Sequence, residues 1–211
     1  MEVPAGFLDE EKNKWERLQI IMQGGIYVRE FIAVGVLLLA VLVSGCTTTT
    51  ETGNTTVPDI PYKTYSDSEI SFRYPESWTS ENLTIQSPNA IAAVADPESV
   101  ESSGNIITLV IIQSIPLPSG KTLKDVYDET YRSFEQESGY QLISERTVTI
   151  NGVTAYENVH RINIDGVTKQ ERATWLEKNG KIYVILCGTS PEKFDAENRN
   201  FDLITYSFQV K

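Results

Sequence analysis

Three polar breaks, Asn151-Gly152, Asp165-Gly166 and Asn179-Gly180, divide the C-terminal half of the chain into β-branched, partly alternating segments, with the breaks recurring every 14 residues (151, 165, 179). Asn-Gly and Asp-Gly favour the type I′ turn, whose backbone twist matches that of the strands it joins. The pattern predicts a four-stranded antiparallel meander over Gln141–Ile150, Val153–Ile164, Val167–Lys178 and Lys181–Gly188. Upstream, "NIITLVIIQSI" is apolar on both faces and reads as a central strand, with "EISFRYP" and "AIAAVAD" as shorter strands.

Helical spacing appears twice. Leu123, Val126, Tyr127, Thr130, Tyr131 and Phe134 fall on one face of a helix expected from about Leu123 to Glu137. Thr122 with Asp125 resembles a capping box, and Gly139 is the expected stop. A second helix is expected after "TSPEKF", with Thr189 or Ser190 as cap, Pro191 in the first turn, and Phe194, Phe201, Ile204 and Phe208 as the apolar stripe. One helix before the meander's strands and one after them make the fold class α+β, an antiparallel sheet of about six to seven strands packed by two main helices.

The N-terminal part follows a different pattern. Phe31 to Gly45 carries no charge, Arg29 precedes it, and the run ends in the small residues Ser44 and Gly45, directly before Cys46. A spanning helix needs about 20 apolar residues, so this run suits a signal peptide better. The tetrapeptide "VSGC" after Leu42 resembles the lipobox of secreted lipoproteins, in which the peptidase cuts before a cysteine that carries diacylglycerol. Cys46 is therefore the expected lipidation site. The alternatives are an uncleaved single-pass signal anchor and a core segment. The Thr-rich stretch that follows, "TTTTETGNTTVPDIP", is too polar to build a core and reads as a tether.

The resulting division is 1–45 signal or membrane segment, 46–60 tether and 61–211 folded domain. The first 21 residues are acidic and unlike a signal n-region, whereas a start at Met22 gives a signal of ordinary length. Residues 1–21 are thus expected to be a start-site artefact, with a cytosolic tail as the alternative. Asn54 in "NTT" and Asn82 in "NLT" match the N-glycosylation triplet.

Two stretches of the domain resemble a known family. "YKTYSDSEISFRYPESW", with Tyr74-Pro75-Glu76-Ser77-Trp78 at its end, is similar to the opening hairpin of PsbP-like proteins. "YVILCGTSPEKFDAENRNFDLITYSF", closing on Ser207-Phe208, is similar to the family's last strand and helix. The resemblance spans Pro61 to Lys211 and implies an antiparallel sheet sandwiched by helices. It also implies a binding or assembly role without known catalysis, as in a photosystem assembly protein, a nuclear GTPase-binding protein and exported lipoproteins. No site residue is carried over from it. Tyr74 and Trp78 have a structural explanation of their own: Pro75 ends the strand, and the two rings plug the core's edge.

Composition narrows the chemistry. A net charge of -11 argues against nucleic acid, which needs clustered Lys and Arg. His160, the only histidine, sits mid-strand without a nucleophile motif and is expected to face solvent. One histidine and two cysteines give no zinc spacing, so no metal or cofactor site is read. Cys187, in "KIYVILCGT", reads as an inert core thiol. "SGKT" at Ser119–Thr122 lacks the P-loop's first glycine, the position being Ile115, and is a helix start. Asp125, Asp128 and Glu129 read as a solvated helix face. The expected function is a lipid-anchored, extracytoplasmic binding or assembly module with a protein or small-molecule partner. An exported carboxylate-dependent hydrolase and a structural envelope protein are the competing readings.

Overall fold

The computed structural model describes residues 55–80, 89–100, 104, 106–164 and 166–211, all within a compact unit, Glu51–Lys211. Phe31–Gly45, Cys46, Asn54 and Asn82 lie outside the described residues.

The Asn-Gly turns form as their residue types dictate. Asn151 and Gly152 have φ of 48° and 80°, and Asn179 and Gly180 have 56° and 72°, the two positive values a type I′ turn requires. Around them lie β5 (Tyr140–Ile150), β6 (Val153–Ile164), β7 (Val167–Lys178) and β8 (Lys181–Thr189). The expected meander is present with its ends displaced by one residue at most.

Preceding it are β1 (Tyr62–Ser66), β2 (Ile70–Pro75), β3 (Ala90–Ala95) and β4 (Leu109–Pro116); β9 (Gln209–Val210) closes the chain. β3 to β8 form one six-stranded antiparallel sheet in the order β3-β4-β8-β7-β6-β5. The count exceeds the sequence expectation because β1, β2 and β9 form a second sheet of their own, in the order β1-β2-β9. Two residues of β9 are enough to complete it, pairing Ile70 with Val210 and Ser71 with Gln209.

Strand periodicity separates the faces of the large sheet. Ala173, Trp175, Ile182 and Val184 pack against helix α1 (Leu123–Phe134) through Leu123, Val126, Tyr127 and Tyr131. Leu176, Tyr183, Ile185 and Cys187 point the other way. They join a core with Ile70, Phe72 and Tyr74 of β2 and with Phe194, Phe201 and Ile204 of helix α2 (Phe194–Ser207). The domain is thus α1, then the six-stranded sheet, then a layer shared by α2 and the small sheet. Each fully buried apolar side chain contributes about 1.5–3 kcal/mol relative to exposure.

Helix α1 begins as expected, with Thr122 and Asp125 making both bonds of a capping box. It stops at Phe134, and Gly139 is not its cap. That glycine instead lies where β5 begins, its carbonyl accepting from Asn163 N at 2.9 Å. A Cβ there would sit 2.5 Å from Asn163 O, so only glycine fits against this backbone. The start of α2 is also later than expected. Thr189 is drawn into the core, where its hydroxyl lies 2.8 Å from that of Thr108. Ser190 to Lys193 make a separate turn, and α2 opens at Phe194 without a side-chain cap.

Candidate functional site

Strand β6 carries polar groups into both interlayer spaces, because Glu157 points toward α2 while Asn158 and His160 point toward α1. On the α2 side, Glu157 is 2% exposed. Its Oε1 accepts from Arg146 Nε at 2.6 Å, and its Oε2 lies 3.9 Å from Arg172 Nε. Arg172 also donates from Nη1 to Asp202 Oδ1 at 2.7 Å, and Arg146 donates from Nη2 to Tyr206 OH at 3.0 Å. The guanidinium of Arg172 lies over the rings of Phe201 and Tyr206. Burial works against its charge, yet Cys187, Glu157 and Asp202 together hold its pKa above the ordinary arginine value. Its Nε and Nη2 have no hydrogen-bond acceptor among the described residues.

On the α1 side the polar groups form a chain. Tyr127 OH donates to Glu145 Oε1 at 2.8 Å, and Asn158 Nδ2 donates to the same oxygen at 3.1 Å. Asn158 Oδ1 lies 2.9 Å from His160 Nδ1, and His160 Nε2 faces Glu171 Oε2 at 3.3 Å. Tyr131, Phe134 and Tyr140 enclose the imidazole, with ring centroids 5.2 to 6.2 Å away. Burial, first, and the neighbouring Glu145 raise the pKa of Tyr127, so its phenol remains the donor.

The expectation of a solvent-facing His160 is overturned: the residue is 3% exposed. Helix α1 and the rings of Tyr131, Phe134 and Tyr140 cover the face of β6 on which His160 lies, so this polar residue has no water to face. The Glu171–His160 pair has the geometry of an acid that orients a base. However, Asn158 rather than a nucleophile occupies the other ring nitrogen, and the rings of α1 and β5 close access to it.

The structure also places Cys187, Tyr74, Trp78 and the acids of α1. Cys187 is wholly buried, and burial pushes its thiol up to about 11, despite the lowering influence of Arg172. Tyr74 and Trp78 lie in the main core, Trp78 edge-on to Phe201. Lys124 pairs with Asp128 and Lys121 with Glu129, which leaves those acids on an open helix face. Among the described residues no three His, Cys, Asp or Glu side chains gather to hold a metal, and no helix is long and apolar enough to cross a membrane. No local motif marks Glu157 and Arg172, because their burial is set by tertiary packing, and Glu145 reads as one more exposed strand acid.

A groove of about 230 Å³ opens at the end of the sandwich that carries the two Asn-Gly turns. Its floor is Ile150, Leu176 and Phe208, and Asn151 and Lys178 stand on its rim. Beside it the N-terminal segment is strapped on: Thr55 Oγ1 donates to Thr149 O, and Arg199 donates to Asp59 O.

In a family comparison, the model of PsbP-like protein matches residues 32–210. The chain belongs to the PsbP-like family. Among solved structures it is similar to cyanobacterial PsbP (CyanoP) from Synechocystis sp. PCC 6803, at 21% identity and a TM-score of 0.54, over 74% of this chain and 95% of that one. It is also similar to LpqN of Mycobacterium tuberculosis, described as involved in cell envelope biogenesis, at 10% identity and a TM-score of 0.55, over 73% and 92%. At these identities the likeness is one of fold. A comparison with curated proteins finds no significant match. In this PsbP-like domain, Ser207 and Phe208 of the closing motif have visible tasks. Ser207 Oγ accepts from Arg73 N at 2.8 Å, tying α2 to β2, and Phe208 is buried against Tyr183.

Proposed function

We propose that this PsbP-like protein is a lipid-anchored, extracytoplasmic binding or assembly-accessory module that carries out no catalysis itself. The observation that carries the reading is the order of parts in one chain: an uncharged run, a lipobox-like Cys46, a Thr-rich stretch and a PsbP-like domain. Support comes from the interior, where the sole histidine is enclosed by rings and the central acid Glu157 is engaged by two arginines. Two acyl chains hold a protein at a bilayer where one does not, which fits a domain that works close to a membrane.

The test is cross-linking in native membranes, comparing wild type with Cys46→Ser. One dominant captured partner that is lost with the anchor is the expected result. The same capture with and without Cys46, or no protein enriched above abundant neighbours, contradicts it.

A further inference from the structure

The polar chain beneath α1 admits one assignment of its protons. Glu145 presents an acceptor-only carboxylate, whose Oε1 faces Tyr127 OH at 2.8 Å and Asn158 Nδ2 at 3.1 Å. Turning the Asn158 amide over would set its oxygen against that carboxylate, so Oδ1 is the atom that faces His160. His160 Nδ1, 2.9 Å from this Oδ1, must then carry a hydrogen. The other ring nitrogen, Nε2, faces Glu171 Oε2 at 3.3 Å, the two residues being direct cross-strand partners on β6 and β7. In a neutral imidazole that nitrogen is a bare lone pair, set here against a carboxylate oxygen. Turning the ring over exchanges both nitrogens for carbons and loses both contacts.

The surroundings favour a second proton. The titratable groups around the ring are Glu171 on β7, Glu145 and Tyr140 on β5, and Tyr131 on α1, with Glu135 beyond α1 acting on Tyr140. Burial, first, raises the pKa of both phenols, so they stay uncharged and the three acids are the charges in the set. Burial by itself favours a neutral ring, but a buried charge is tolerated where it is paired and hydrogen-bonded. His160 has an acceptor at each nitrogen, Asn158 at one and Glu171 at the other.

We infer that His160 and Glu171 hold one proton between them in the folded domain, an imidazolium–carboxylate pair that makes the packing of α1 on the sheet sensitive to alkali. The inference stands on the domain alone and is independent of the lipid anchor. Loss of the proton leaves the Nε2 lone pair against Glu171, directly under the rings of Tyr131 and Phe134 through which α1 packs there. A free imidazole is mostly neutral above about pH 6.5, so above that pH folding takes up a proton. The contribution of the pair is therefore full below that pH and declines as pH rises, until the folded pair releases its proton.

The test uses the full chain with isotope-labelled histidine, held in detergent. His160 is the only histidine, so the ring nitrogens give a single pair of magnetic-resonance signals. At about pH 8, where a free imidazole is neutral, both nitrogens of the folded protein are expected to be protonated. In Glu171→Gln, whose amide can donate to Nε2, only Nδ1 should be. The folding constant of the wild type, from urea unfolding, should fall by up to about tenfold per pH unit more steeply than that of Glu171→Gln above neutrality. A single protonated nitrogen in the folded wild type, or parallel pH profiles for the two proteins, overturns the inference. Should Glu171→Gln fail to fold, the nitrogen signals of the wild type decide by themselves.

Discussion

The carboxylate of Glu157 lies 3.9 Å from the guanidinium of Arg172, with both side chains almost wholly shielded, at 2% and 4% exposure. A buried charge is tolerated only while its partners remain. Arg146 and Asp202 complete this set from β5 and α2, so it joins the large sheet to the layer above it.

Removing one member should cost more than removing two. Glu157→Ala leaves Arg172 beside Asp202 alone and should lower stability by about 3–5 kcal/mol. The double variant Glu157→Leu with Arg172→Met should recover much of that loss. Urea unfolding of the three proteins checks this; a double variant as unstable as the single one would contradict it.

His160 should be chemically silent in the native protein. With 3% of its surface exposed, it should react with diethyl pyrocarbonate far more slowly in the folded state than in denaturant. His160→Ala should cost about 2–3 kcal/mol, through the cavity left among Phe134, Tyr140 and Tyr131 and the lost contact with Asn158. Rapid native modification, measured by mass spectrometry, would contradict the closed site.

Gly139 is constrained by the Asn163 backbone. Gly139→Ala should destabilise by about 1–3 kcal/mol, because carbonyl and amide cannot move aside as a side chain would. Thermal unfolding measures the loss, and an unchanged midpoint would contradict the close approach.

Glu69 connects acid stability to the join between the two sheets. Its carboxylate accepts from Lys181 and Tyr183, each at 2.9 Å, and these bonds, that from Lys181 foremost, hold its pKa below the ordinary 4.5. A depressed pKa adds stability above the unfolded value, and that stability is lost as pH falls from about 4.5 through the folded value. Glu69→Gln should be less stable near neutrality by about 1 kcal/mol, the site being partly solvated. Its stability should also fall less steeply in acid than the wild type's. Parallel acid profiles would contradict the assignment.

The meander was legible because Asn-Gly dipeptides leave little choice of turn, and α1 because its cap and stripe agree. The errors share a cause in tertiary context. Thr189 carries a good capping hydroxyl, but Thr108 claims it in the core. His160 reads as a surface residue only if a sheet face is assumed open, and α1 covers that face. β9 is too short to show a period; it follows the buried Phe208 and pairs with β2. Glu157 and Arg172 meet diagonally across β6 and β7, a relation that exists only once the register is set.

The central claim is most directly tested by mass spectrometry of the N-terminal peptide of the native protein. The account predicts a mature chain that begins at Cys46 with a diacylglyceryl group on its sulfur. A peptide that runs unbroken through Gly45 into an unmodified Cys46 would contradict it.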